Sequence, residues 1–515
     1  MARALVTELA AAGVGDVVLA AGSRSAPLAY AVADAERAGW LRAHVRIDER
    51  SAGFLALGLA KAWQHRGEPR PVAVVTTSGT AVANLHPAVL EASHAPLPLL
   101  VISTDRPHEW HGTGANQTTA QAGIFGSAVR LAGELPARAN PAAARGQVTR
   151  LVAAALGTLT RDPGPAHLNV AFGEPLTPEG RWECGAPPTP IAVAATPPRP
   201  SFTLPAGVRT LAVAGDGAGT EAARLAREAG WPLLAEPSSG ARISAESVVG
   251  YLDMLGRGLA DDAERIVVFG HPTLSRPITS LLGRRDAEII VLSPTARWTD
   301  VTGAASAVVP VVDVSRPAAS DLAWRERWRE AAAAPGSAPK PIERAASAIW
   351  ATDEMLFLGS SNAVRAFDAV APGTPRGARV LANRGLAGID GLIATARGLA
   401  TGLGEPVRLV LGDLSFVHDL GSLVRGDHEP EVDLQVIVLD DHGGGIFGTL
   451  EHRHAPDEVF NRFFATPQHL DIAAASRGLG LRAARVNVND LPAALAAPVR
   501  GTSVLVVGLP PATRA

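Results

Sequence analysis

Two short clusters in the last quarter of the chain could do chemistry together. Gly412-Asp413 is followed 27 residues later by Asp440-Asp441-His442-Gly443-Gly444-Gly445. Each cluster closes a run of β-branched and aliphatic residues, Val407–Leu411 before the first and Leu434–Leu439 before the second. Such runs predict parallel strands that each deliver an acidic residue at the C-terminal end. In open α/β sheets that edge is where ligands bind. A pair of carboxylates with a glycine-exposed carbonyl is a set of hard oxygen donors. It suits Mg²⁺, which takes its remaining ligands from water and substrate phosphates, and Mn²⁺ accepts the same octahedral donors.

The elements that must position these groups follow from the rest of the chain. At 515 residues it is too long for one hydrophobic core and predicts two to four domains. Apolar residues make up 47% of it, as in a well-packed globular protein. The 47 basic and 50 acidic residues nearly cancel, and no basic stripe marks a nucleic-acid surface. Cys184 is the single cysteine, so no intramolecular disulfide can form and a reducing cytoplasm is expected. No apolar run approaches the roughly 20 residues needed to span a bilayer. The first residues, Met1-Ala-Arg-Ala-Leu, lack the layout of a signal peptide.

Strand-like runs alternate with helical patterns throughout, which predicts a parallel-sheet α/β fold. In the first segment the expected strands are 16–20, 45–47, 72–75, 97–102 and 167–170, with helices over 51–63 and 81–92. The Pro-rich passage 175–205 predicts no regular structure. A second segment has strands at 210–214, 233–234, 266–269 and 289–292, and a third at 355–358, 379–381, 407–411, 434–439 and 503–507. Gly215-x-Gly217-x-Gly219 follows a strand and precedes a helix, with Glu236 about 20 residues on, which invites a dinucleotide reading. The spacing is not G-x-G-x-x-G, and a tight turn without ligand is the simpler account. Ile47-Asp48-Glu49-Arg50-Ser51 sits where a strand gives way to a helix, so its carboxylates fit either a solvated cap or a catalytic role.

The Gly412-Asp413 and Asp440-Asp441 clusters together resemble the diphosphate-and-metal signature of thiamine-diphosphate enzymes, in which Gly-Asp is followed by Asn-Asn or Asn-Asp. Asp440 stands where Asn is common, and an aspartate at Asp441 is an accepted ligand of that family. Further motifs narrow the resemblance: Gly22-Ser23-Arg24-Ser25, Asp48-Glu49-Arg50-Ser51, Thr77-Ser78-Gly79-Thr80 with Asn84, Asp105-Arg106-Pro107, Gly114-Ala115-Asn116-Gln117, Gly359-Ser360-Ser361 with Arg365, and Asn383-Arg384-Gly385 leading to Ile389. In this order they look like the 2-succinyl-5-enolpyruvyl-6-hydroxy-3-cyclohexene-1-carboxylate synthases of menaquinone biosynthesis. Ala21 departs from the Pro often found before Gly-Ser-Arg-Ser.

The resemblance implies three α/β domains: a pyrimidine-binding domain over 1–178, a Pro-rich linker over 179–206, a middle domain over 207–332, a linker over 333–342 and a diphosphate-binding domain over 343–515. It implies that 2-oxoglutarate adds to thiamine diphosphate, loses CO₂, and that the resulting carbanion attacks isochorismate. Glu49 would hydrogen-bond the aminopyrimidine ring nitrogen, which requires the raised pKa that an apolar surround gives a carboxyl. Asp413, Asp441 and Gly443 would hold Mg²⁺ or Mn²⁺. Ser78, Gly79, Asn84, Ile389, Gly412, Leu414, Ser415, Gly444 and Ile446 would line the cofactor, although Ile389 reads equally well as a core residue. Both substrates are polyanions, and arginine grips carboxylates bidentately. Arg365 and Arg384, with Ser361, would hold the distal carboxylate of 2-oxoglutarate. Ser23, Arg24, Arg106 and Arg276 would face isochorismate, and Gln117 the reacting carbon. His442 reads as structural, and His452-x-His454 as part of a mobile loop. The resemblance also implies a homodimer or homotetramer, with Glu49 and Asp413 of each site drawn from different copies. Competing readings are another thiamine-dependent carboligase or decarboxylase, and a catalytically silent scaffold.

Overall fold

Continuous apolar runs become strands buried on both faces, as parallel sheets covered by helices require. The computed structural model describes residues 1–195, 201–334 and 338–511. The linker expected over 179–206 therefore lies partly outside the described residues, as do parts of the 333–342 linker and the last four residues of the chain.

The first sheet has six parallel strands, β1 (Asp16–Ala20), β2 (Arg42–Arg46), β3 (Val72–Thr76), β4 (Leu99–Asp105), β5 (Leu131–Leu135) and β6 (Ala166–Ala171), in the order β2-β1-β3-β4-β6-β5. Beyond it, β7 (Phe202–Leu204) lies in the passage where the sequence predicts no regular structure. Its three residues contain no proline, and they pair in parallel with β13 (Val312–Val314). The second sheet is formed by β8 (Thr210–Ala214), β9 (Leu233–Ala235), β10 (Arg265–Phe269), β11 (Glu288–Leu292) and β12 (Ala307–Val309), in the order β12-β11-β10-β8-β9. The third has β14 (Met355–Leu358), β15 (Val380–Ala382), β16 (Val407–Gly412), β17 (Leu434–Asp440), β18 (Arg482–Asn487) and β19 (Thr502–Gly508), in the order β15-β14-β16-β17-β19-β18.

The chain resolves into two compact units. One comprises Met1–Pro197, Gly385–Glu405 and Asp419–Asp433, the other Pro198–Arg384, Pro406–His418 and Leu434–Ala515. The first sheet belongs to the first unit, and the second sheet, the third sheet and the β7–β13 pair to the second.

Within the first unit the helix Glu49–His65 is buried along an unbroken stretch from Ser51 to Ala62. It starts at Asp48, whose Oδ1 accepts the backbone N–H groups of Arg50 and Ser51, so the cap role falls to Asp48 and leaves the neighbouring Glu49 to other work. The helix packs against Leu392–Leu403, and glycines make the approach possible. A Cβ at Gly58 would lie 2.1 Å from the Thr395 carbonyl oxygen, and one at Gly398 would lie 2.2 Å from that of Leu55. The expected helix 81–92 is two, Thr80–Ala83 and His86–His94, with Pro87 in the first turn of the second. No helix among the described residues is long and apolar enough to cross a membrane.

Candidate active site

In the first unit, four adjacent strands carry candidate residues at their C-terminal ends: β1 leads to Ser23 and Arg24, β2 to Glu49, β3 to Ser78 and Gly79, and β4 to Arg106. Arg106 Nη1 donates to Ser78 Oγ at 2.5 Å and to the Gln117 carbonyl at 2.9 Å. Gln117 Nε2 donates back to the Ser78 carbonyl at 2.7 Å. Arg24 is buried, donates from Nη1 to the Phe172 carbonyl at 2.7 Å and lies over the Trp110 ring. Burial, and then the charge of Arg106, lower its pKa. The structure thus brings Arg24, Arg106, Ser78, Gly79 and Gln117 together. Ser23 is exposed beside Arg24, Glu49 is half-buried at its helix start, and Asn84 is exposed after the Thr80–Ala83 helix.

Gln121 and Asn169 support this cluster and carry no motif that would mark them in the sequence. The Gly79 N–H donates to Gln121 Oε1 at 2.8 Å. Gln121 Nε2 donates to Asn169 Oδ1 at 2.9 Å, and Asn169 Nδ2 to Asp105 Oδ2 at 2.9 Å. This buried chain ties the end of β3 to the end of β4.

In the second unit, β16 ends at Gly412 and β17 at Asp440, so the two acidic clusters meet at one sheet edge. Asp413 accepts the N–H of Leu414 at 2.8 Å and is also hydrogen-bonded by the Gly443 backbone. Burial raises the Asp413 carboxyl to about 6 despite these bonds. Burial, and then the charge of Asp413, raise Asp441 to about 7. Two half-desolvated carboxylates, each raised by burial and by the charge of a neighbouring aspartate (Asp440 for Asp413, Asp413 for Asp441), are what a divalent cation would relieve, so the donor set fits a metal. Gly443 has φ +133°, and a Cβ there would lie 2.4 Å from the Ala465 carbonyl oxygen. The turn that presents its backbone therefore needs glycine. Asp440 is engaged differently, by Arg485 Nη2 at 2.5 Å and His442 Nδ1 at 3.2 Å. Gly412, Leu414 and Ser415 flank Asp413, while Gly444 and Ile446 continue the second turn.

Ser361, Arg365 and Arg384 also lie in the second unit. Arg365 Nη1 donates to the Ser361 carbonyl at 2.8 Å, and its Nη2 to the Leu274 carbonyl at 3.1 Å. Arg384 is buried and reaches Thr273 Oγ1 at 3.4 Å. Burial, and then the charge of Arg384, lower the pKa of Arg365. Arg276 is engaged elsewhere, in a two-bond ion pair with Glu451. His452 does not form a metal pair with His454; it stacks on Phe464 at 4.4 Å, in short helical turns where the sequence predicts a mobile loop. The glycine run after β8 is a tight turn, since a Cβ at Gly215 would lie 2.0 Å from Pro272 N. Glu236 faces the Leu274 amide rather than presenting a carboxylate to a ribose. Ile389 is half-buried in the first unit, after a loop whose Gly385 and Leu386 N–H groups donate to Glu91.

Gln117, Ser361 and His442 all hold positive φ, 58°, 69° and 61°. Non-glycine residues in that region are uncommon and tend to mark functional turns.

Parallel sheets with acidic turns at the C-terminal edge of adjacent strands are the frame of a thiamine-diphosphate enzyme, and the comparisons agree. The family model described as "Thiamine pyrophosphate enzyme, N-terminal TPP binding domain" matches residues 1–124. The crystal structure of benzoylformate decarboxylase from Polynucleobacter necessarius superposes with a TM-score of 0.68 at 17% identity, covering 99% of this chain and 98% of that one. A 2-succinyl-5-enolpyruvyl-6-hydroxy-3-cyclohexene-1-carboxylate synthase from Kineococcus radiotolerans is 47% identical, over 98% of this chain and 94% of that protein. Relatives with the same name from a Nocardioides species and from Mycobacterium marinum are 42% and 39% identical, each over 98% of this chain. The chain belongs to the 2-succinyl-5-enolpyruvyl-6-hydroxy-3-cyclohexene-1-carboxylate synthase family.

Proposed function

We propose that the protein catalyses the thiamine-diphosphate-dependent decarboxylation of 2-oxoglutarate and the conjugate addition of the succinyl unit to isochorismate, a step of menaquinone biosynthesis. The products are CO₂ and 2-succinyl-5-enolpyruvyl-6-hydroxy-3-cyclohexene-1-carboxylate. The observation that carries this reading is membership of the synthase family along 98% of the chain.

Thiamine diphosphate, when bound, supplies the electron sink that makes decarboxylation and carbon–carbon bond formation accessible. The chain's own residues bind, orient and move protons. In our reading Glu49 shares a proton with the aminopyrimidine ring nitrogen, and Ser78, Gly79, Asn84 and Ile389 hold the same half of the cofactor. Asp413, Asp441 and the Gly443 carbonyl would hold Mg²⁺ or Mn²⁺ against the diphosphate, flanked by Gly412, Leu414, Ser415, Gly444 and Ile446. Arg365 and Arg384, with Ser361, grip the distal carboxylate of 2-oxoglutarate. Ser23, Arg24, Arg106 and Arg276 receive isochorismate, with Gln117 beside the reacting carbon. Isochorismate would have to displace Glu451 to reach Arg276.

The assignment of 1–178, 207–332 and 343–515 to pyrimidine-binding, middle and diphosphate-binding domains is part of the same proposal. So is a homodimer or homotetramer in which Glu49 of one copy serves Asp413 of another. A cytoplasmic location rests on the lone Cys184.

The test is product formation from 2-oxoglutarate and isochorismate with thiamine diphosphate and Mg²⁺, for the wild type and Glu49→Gln. Product from the wild type and a loss of about 10²-fold or more in the variant is expected. Release of CO₂ from a different 2-oxoacid, without this product, would move the protein to another carboligase or decarboxylase activity.

A further inference from the structure

Glu236 follows β9 at the C-terminal edge of the second sheet and is 2% exposed. Its Oε1 accepts the N–H of Leu274 at 2.8 Å. Its Oε2 is buried with no hydrogen-bond partner among the described residues. Burial of this kind disfavours the charged form and pushes the carboxyl up to about 8, with Asp368 and Asp216 adding to the rise and Arg384 opposing it.

The turn that Glu236 holds is the one that meets both candidate carboxylate-binding arginines. The Leu274 carbonyl accepts Arg365 Nη2 at 3.1 Å, and Thr273 Oγ1 lies 3.4 Å from Arg384 Nη2. Leu274 and its neighbour Thr273 thus link Glu236 to the two guanidiniums. Arg384 is 5% exposed and its Nε has no partner among the described residues. That leaves donor capacity for an arriving anion. The position of Arg365 is fixed at one end by its own helix through Ser361 and at the other by Leu274.

We propose that Glu236 is a positioning residue for the 2-oxoglutarate carboxylate: by holding the Leu274 amide it sets the turn against which Arg365 and Arg384 are aimed. The proposal rests on the reading of those arginines given above. It gives the middle segment of the chain a part in holding 2-oxoglutarate, beside the proposed contact of Arg276 with isochorismate. A cap that served only the fold would affect both substrates alike when removed. A positioning residue affects one.

The experiment compares Glu236→Met, which deletes the acceptor, with Glu236→Gln, which keeps an oxygen for Leu274. Expected for E236M is a rise of about tenfold or more in KM for 2-oxoglutarate, with KM for isochorismate within about twofold of wild type. E236Q should stay within about threefold of wild type for both. Hydrogen exchange at the Leu274 amide, a readout independent of turnover, should quicken in E236M and not in E236Q. Unchanged KM for 2-oxoglutarate in E236M, or an equal rise for both substrates, would overturn the proposal. R365A is the control for the underlying reading. If it leaves KM for 2-oxoglutarate unchanged, that reading falls and this proposal with it; if it raises KM while E236M does not, only this proposal falls. Should E236M fail to fold, Thr273→Val tests the link from the other side, and an unchanged KM there overturns it equally.

Discussion

Asp440 and Asp441 are neighbours in the chain with opposite surroundings. Asp440 is held by Arg485 and His442, so its charge is already spent. Asp441 is raised to about 7 by burial and then by the charge of Asp413. Metal binding requires both carboxylates to be deprotonated, so protons compete with the ion. Affinity for Mg²⁺ should therefore be full only above about pH 8 and fall as the pH drops through the Asp441 and Asp413 values, by about tenfold per pH unit for each proton displaced. Calorimetric titration of the metal in the presence of thiamine diphosphate would measure this; Asp441→Ala should lose most of the affinity at every pH, whereas Asp441→Asn, which keeps an oxygen donor that takes up no proton, should bind with a shallower pH dependence. A flat profile from about pH 5 to 8 would contradict the ligand assignment. The paired acidic clusters were legible in the sequence because each closes a strand-like run. Gln121, Asn169 and Glu451 were not, because their partners lie 42, 64 and 175 residues away and no local pattern announces such a meeting.

At the scale of elements, the helix Glu49–His65 is buried all round, and Gly58, Gly398 and Gly402 let it lie against Leu392–Leu403. Gly58→Ala should destabilise the protein by about 1–3 kcal/mol through overpacking, because the atoms it meets are backbone and cannot rotate away. Thermal denaturation would read this as a lowered first transition, and a transition unchanged in G58A would mean that the helices separate at no cost. Long, apolar strands such as β4 and β17 were readable from composition. The edge strands β5 and β18 were missed, since their alternating exposure breaks the apolar run that marks a central strand. β2 was expected at 45–47 and forms at Arg42–Arg46: Ile47 looked like core but points to solvent, while the charged start of the strand pairs with β1.

For the whole molecule, the proposed sharing of Glu49 and Asp413 between copies makes a quantitative prediction. Glu49→Gln and Asp413→Asn should each be inactive alone. Unfolded together and refolded as a mixture, they should recover about a quarter of wild-type activity, because half of the random dimers are mixed and each of those holds one intact site. No recovery, with mixed dimers shown to form, would place both residues of a site in one copy. The three-sheet plan was legible from the spacing of apolar runs, but the assignment of Gly385–Glu405 and Asp419–Asp433 to the first unit was not, because nothing in a local pattern says which distant helix a segment will meet. That assignment has a consequence for synthesis. The helix Glu49–His65 leaves the ribosome more than 300 residues before the segment that covers it. At roughly 5–20 residues per second, its Leu55 and Leu59 flank waits some tens of seconds without its final neighbour. One face of this apolar helix thus stays without its final cover for most of the chain's translation.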